Sequence, residues 1–362
     1  MNERALEQRL EGWYADQLDS VTVPASLRAS VATIPSAIRR PFAFRISSAW
    51  ALVLLMAMLL ALTAGAIATG ALHLPGDALS TDELLTTVDN RIVAVDVGTG
   101  ASRKIAHGTL IALSPDRRRF IRAASVFAFE CYVTRADGTD ERKLDACGSS
   151  AAWSPDGRKA LFYDGGFFIA DLASGHVIRL PWHESFKDTG TGAWSPDGRR
   201  VVIPARGELV IADADGRRLG GIRTLAYSFG PTWSPDGRSI VYWRLNGGWV
   251  VVNAEIGGAQ FGQQVISGAG MFATWSPSGR QLAYIAGYGL RVVDSDGRND
   301  RLLDGHAYPY VPGPKWSADG SQILYGRNMA ESGVSQGPMM VIDLASGKSR
   351  VVYPTASFNY AW

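Results

Sequence analysis

The sequence predicts an all-β fold, a β-propeller of seven blades with six as the alternative, carried behind one transmembrane helix and a short helical N-terminal segment. Three observations point there. A short motif, Trp-Ser-Pro-Asp-Gly in its fullest form, returns six times at intervals of 39 to 42 residues. No charged side chain occurs from Ile46 to Leu72. The 40 glycines and 11 tryptophans among 362 residues call for many turns between many short strands.

The N-terminal segment, 1–45, is read as helical and cytoplasmic. Leu6, Leu10, Trp13, Tyr14 and Leu18 recur at steps of three and four, which places them on one helical face. A second short helix fits 25–33, bounded by Pro24 and Pro35. An apolar stripe on so small a segment needs cover from a partner protein or the membrane surface; the other reading is a solvated juxtamembrane helix pair with no dedicated partner.

Residues 46–74 form the expected transmembrane signal anchor. At 1.5 Å per residue, a run of about 24 helical residues reaches about 36 Å, more than the hydrocarbon thickness of about 30 Å. A cleaved signal peptide fits poorly, because some 45 residues precede the apolar run. Arg39, Arg40 and Arg45 precede the span, whereas Asp77, Asp82 and Glu83 follow it with no Lys or Arg before Arg91, so the N-terminus is expected in the cytoplasm and the rest outside. Small residues at Ala61 and Gly65, and at Ala66 and Gly70, would let two such helices approach closely as a homodimer. A linker, 75–82, leads to the large domain, 83–362.

That domain is defined by its repeat. The motif stands at Leu113-Ser114-Pro115-Asp116, Trp153-Ser154-Pro155-Asp156-Gly157, Trp194-Ser195-Pro196-Asp197-Gly198, Trp233-Ser234-Pro235-Asp236-Gly237, Trp275-Ser276-Pro277-Ser278-Gly279 and Trp316-Ser317-Ala318-Asp319-Gly320. Pro presets the first corner of a turn, Asp bonds the following backbone, and Gly accepts the left-handed conformation. Each motif therefore closes one strand and opens the next. Alternating apolar runs follow it at 159–163, 200–203 and 239–243, and with two further strands each repeat of about 40 residues becomes a four-stranded blade. These residues resemble the TolB-type WD-like propeller repeat, over about 83–362. The pattern departs at Leu113, at Arg117 (no Gly, so a different turn is expected), at Ser278 and at Ala318. The motif tryptophans are expected in the core between blades.

Three strands at 83–88, 91–97 and 101–107 lack a motif strand before them, and the C-terminal 357–362 repeats the strand that elsewhere runs into the motif. The last strand is thus expected to complete the first blade, closing the ring and removing exposed sheet edges.

Residues 23–31 resemble the segment that precedes the membrane helix in many bacterial membrane-bound anti-sigma factors. No His or Cys, the zinc ligands of many such factors, occurs before the span.

The two cysteines, Cys131 and Cys147, face each other if 127–136 and 142–147 form a hairpin that pairs Ala136 with Arg142. They are either a disulfide in an oxidising compartment or two buried thiols; one residue of register shift separates the readings.

Net charge is +2, with 36 basic residues scattered among 34 acidic ones, which lacks the basic field that nucleic acid requires. Gly333-Val334-Ser335-Gln336-Gly337 matches the GxSxG pattern, but no histidine follows it to complete the order of an α/β-hydrolase triad. Asp213-Ala214-Asp215-Gly216 and Asp294-Ser295-Asp296-Gly297 resemble the start of a calcium loop but lack its closing Glu, and they fall where the repeat needs a turn. His73, His107, His176, His183 and His306 show no ligand spacing. No catalytic, cofactor or metal residue is assigned, and no enzyme activity is expected. The expectation is a membrane-anchored scaffold that binds a protein or polymer outside the cytoplasmic membrane and relays a signal to a cytoplasmic partner such as a sigma factor. The alternative is an extracytoplasmic hydrolase or lyase with its site in the central channel.

Overall fold

The computed structural model describes residues 78–125, 130–182, 191–224, 228–244, 247–256, 262–266, 270–307, 313–327, 337–354 and 360–362. The N-terminal helices, the apolar span, residues 333–336 of the GxSxG segment, His73 and His183 lie outside the described residues. The described chain is all-β: seven four-stranded antiparallel sheets, each built from strands consecutive in the chain except one. That one is blade 1, in which Tyr360–Ala361 pairs with Glu83–Val88, followed by Arg91–Asp96 and Ser102–His107. The ladder sets Leu85 opposite Ala361 and Thr86 opposite Tyr360, so the chain closes on itself as the composite blade requires. The count is seven blades, not six.

Period-two alternation explains why the middle strands read as continuous apolar runs: both faces are buried. In blade 1, Leu84, Val93 and Val95 pack against Leu324, Met339 and Val341 of blade 7. The intervening Leu85, Ile92 and Ala94 pack against Leu110 and Phe120 of blade 2. The same division recurs at the other five interfaces, giving one apolar cluster per pair of neighbouring blades. The motif tryptophans belong to these clusters; Trp153, Trp194, Trp233 and Trp316 are buried and Trp275 is partly so.

Five of the six motif corners are held the same way. In blade 3 the Ser154 Oγ donates to Asp156 Oδ1 at 2.6 Å and accepts from the Lys159 amide at 2.9 Å, while Gly157 N donates to Ser154 O at 2.9 Å. Gly157, Gly198, Gly237, Gly279 and Gly320 all stand near φ +70°. Blade 2 corrects one expectation, since Arg117 makes the same turn rather than a different one: its φ is 58° and its amide donates to Ser114 O at 2.9 Å. The left-handed conformation costs a non-glycine residue about 1–2 kcal/mol. Its guanidinium offsets that by donating to the carbonyls of Leu79 at 3.3 Å, Ser80 at 2.8 Å and Glu83.

The cysteines are joined, with their Cα atoms 5.1 Å apart. The register that suggested the bond is corrected, however: Val133, not Ala136, pairs with Arg142, and on this side strand Cys131–Arg135 pairs with only the two residues Arg142–Lys143. The ladder would place Leu144 opposite Cys131, and Leu144 N indeed donates to Cys131 O at 2.9 Å. Cys147 reaches the bond from the segment leading to Ser150–Trp153, beyond the hairpin.

Candidate functional site

The first strand of each sheet lies innermost. These strands are Thr109–Leu113, Ser150–Trp153, Ala193–Trp194, Ser228–Trp233, Gly270–Trp275 and Lys315–Trp316, with Tyr360–Ala361 serving blade 1. Residues from four of them converge on one cavity of about 540 Å³ at the closing seam, where blades 7, 1, 2 and 3 meet around the channel.

The residue just before each motif aromatic occupies an equivalent place around this channel: Ala112, Ala152, Ala193, Thr232, Thr274, Lys315 and Ala361. Its carbonyl receives the indole N–H of the next blade. Trp153 Nε1 donates to Ala112 O at 3.3 Å, Trp194 to Ala152 O at 3.0 Å, Trp275 to Thr232 O at 3.3 Å and Trp316 to Thr274 O at 3.2 Å. The pattern breaks at the seam, where Leu113 has no donor and Trp362 turns to Thr81 O at 3.2 Å. It also breaks at Trp233, whose buried indole N–H has no partner among the described residues.

The cavity has a mixed lining, with Ile111, Leu113, Ala152 and Trp153 beside Ser114, Arg117 and Lys315. Arg117 lines it with a guanidinium already committed to three backbone carbonyls, and burial lowers its pKa. Tyr360 is buried, its hydroxyl donates to Gly313 O at 3.4 Å, and burial pushes the phenol well above its ordinary range. Lys315 is different. Its ammonium makes no hydrogen bond or ion pair among the described residues, and burial alone pushes its pKa below the usual lysine value. No Asp, Glu or His side chain stands among the lining residues.

The two calcium-like loops are turns between third and fourth strands. Asp213 Oδ1 accepts from the amides of Asp215 at 3.0 Å and Arg217 at 2.7 Å, and Asp294 Oδ2 accepts from Asn299 Nδ2 at 2.6 Å. Among the described residues no group of three His, Cys, Asp or Glu side chains is placed to hold a metal. Lys315 was not singled out from the sequence, although a signal was present: aligned on the motif, it is the one charged residue at a position otherwise Ala or Thr.

With this geometry in view, known structures give the fold. An uncharacterised protein from Desulfotomaculum acetoxidans aligns with a TM-score of 0.56 at 15% identity, covering 77% of this chain and 98% of that one. A protein from Bacteroides uniformis described as a putative 6-phosphogluconolactonase aligns at 0.54 and 14% identity, covering 77% and 100%. The β-propeller domain of Cps50 (Swd1) from Myceliophteria thermophila aligns at 0.52 and 13% identity, covering 73% and 88%. At such identities the likeness is one of architecture, and it agrees with the seven-bladed ring. No family model and no curated protein matches the chain.

Proposed function

We propose that this chain is a non-enzymatic, TolB-like propeller scaffold tethered to the cytoplasmic membrane by residues 46–74, with 1–45 inside and the propeller outside. It binds a protein or envelope polymer there and relays that occupancy through 1–45 to a cytoplasmic partner such as a sigma factor. The observation that carries the binding reading is the closed seven-bladed ring with a pocket of about 540 Å³ at its seam, whose lining includes no Asp, Glu or His side chain to work as acid or base. The Cys131–Cys147 disulfide supports the outside placement, because cytosolic thiols are kept reduced. The closed ring supplies a rigid frame for docking, as propellers commonly do.

The test is crosslinking in intact cells followed by purification of the full chain and of a variant lacking 1–45. An envelope component should be recovered with both, and a cytoplasmic protein with the full chain alone. Recovery of no cytoplasmic protein with either would remove the relay; recovery of nothing from the envelope would remove the scaffold.

A further inference from the structure

We propose that residues 79–83 form a strap that couples the entry of the chain into the propeller to closure of the ring: seating of the strap and docking of the last strand, Tyr360–Ala361, are one equilibrium. The coupling stands on the seam geometry alone, and its use as the path of the relay rests on the membrane-tethered reading.

Every carbonyl of 79–83 accepts a hydrogen bond, although only Glu83 belongs to a strand. Arg117 Nε donates to Leu79 O at 3.3 Å, and its Nη2 donates to Ser80 O at 2.8 Å and to Glu83 O. Trp362 Nε1 donates to Thr81 O at 3.2 Å, and Val97 N donates to Asp82 O at 2.6 Å. The donors therefore come from the corner of blade 2, the end of the closing strand and blade 1. Leu79 is buried with Leu85, Leu110 and Phe120 between blades 1 and 2, which fixes the start of the strap. Ser80, Thr81 and Asp82 are exposed, so their bonds compete with water, and the strap can leave its seat while the sheets stay intact.

Two departures from the repeat serve this strap. Arg117 stands where the other five motifs place glycine, and it holds a left-handed φ of 58°. Trp362 aligns with tryptophans whose indoles reach the preceding blade at Ala112, Ala152, Thr232 and Thr274, yet its own indole turns to Thr81. Closure by itself asks for neither change, because glycine suits the corner better and the aligned acceptor for Trp362 is the carbonyl of Lys315. Both changes instead grip one short segment from two sides of the seam.

That segment is also where the chain enters the propeller, soon after the uncharged run that ends at Leu72. The covalent path between the ring and the N-terminal segment runs through it. Linkage is reciprocal, so an event that unseats the strap weakens docking of the last strand by the same factor as undocking weakens the strap.

The test is hydrogen exchange on the purified full chain and on two variants. Arg117→Gly restores the residue of the other five motifs and removes the guanidinium; Trp362→Phe keeps an aromatic ring and removes the indole N–H. Each should speed exchange about tenfold in both 79–83 and 360–362, while blades 4 and 5 keep the parent rates. No hydrogen bond joins Arg117 to 360–362 among the described residues, so its effect there travels through the strap. The double variant should exchange no more than about threefold faster than either single one, because the first change has already unseated the strap. Exchange raised by each variant only at its own contact, effects that multiply in the double variant, or protection lost equally in blades 4 and 5 would overturn the coupling. Coupled exchange with no cytoplasmic protein recovered from crosslinked cells would remove the relay and leave the strap standing.

Discussion

The Ser-x-Asp pair at five of the six corners couples the fold to pH. The serine hydroxyl bond is the foremost cause holding Asp156, Asp197 and Asp236 below the ordinary carboxylate range, and with the bonds from Ser321 it takes Asp319 down to about 2. A carboxylate whose folded pKa is depressed contributes stability that is present above its unfolded pKa and lost as pH falls through the folded value. Against an unfolded value of about 3.9, the loss should run from about pH 4 to about pH 2, read as a falling urea midpoint across that window. Blade 6 lacks this device. Ser276 Oγ lies 3.1 Å from Ser278 Oγ, and the Arg280 amide reaches Ser278 Oγ at only 3.4 Å, whereas the aspartates receive that amide at 3.0 to 3.1 Å. Ser278→Asp should therefore stabilise the protein by about 0.5–1 kcal/mol at neutral pH, the worth of a hydrogen bond. The gain should vanish near pH 2, and a variant no more resistant to urea at pH 7 would contradict this account of the corner.

Between elements, the indole bonds stitch blade to blade, and the break at Trp233 provides an internal control. Trp194→Phe removes a 3.0 Å bond to Ala152 O and should cost about 1 kcal/mol more than Trp233→Phe, which removes a buried N–H that has no acceptor. Equal urea midpoints for the two variants would show that the indole bond contributes nothing. The disulfide acts at the same scale. It closes a loop of 16 residues, so replacing both cysteines with alanine should cost about 3 kcal/mol, the chain-entropy value for a loop of that size, measured by urea denaturation of the oxidised parent and the variant. The strands and corners were legible in the sequence because each repeat restates them, and an error in one copy is corrected by five others. The hairpin carrying Cys131 occurs once and has a long turn, so nothing in the pattern separated Ala136 from Val133 as the partner of Arg142. Arg117 misled for a different reason: the residue is wrong for a left-handed turn, and the carbonyls that compensate it lie 34 to 38 residues earlier in the chain.

For the whole molecule, closure is the feature on which the rest depends, and it was legible because the C-terminal residues repeat a strand that the first blade lacks. The channel pocket was not. Its lining joins residues 110–117 and 151–153 to residues 315–362, a meeting that no local pattern announces. The strength of the closure can be measured by deleting residues 360–362. Tyr360 is buried among Leu84, Val93 and the blade 7 residues Leu324 and Met339, so losing it removes an aromatic group from the joint between the chain's two ends. Truncating a buried aromatic side chain typically costs about 3–5 kcal/mol, and here the backbone ladder to Leu85 and Thr86 goes with it. Strand Glu83–Val88, wholly buried in the intact ring, then becomes an open sheet edge of the kind that invites intermolecular pairing. Hydrogen exchange should therefore show protection falling first in blades 1, 2 and 7, with blades 4 and 5 retaining theirs, and the protein should self-associate with rising concentration. If the amides of Glu83–Val88 kept their full protection without residues 360–362, the last strand would be an ornament on a ring closed by other contacts, such as the bond from Arg350 to the carbonyl of Val97.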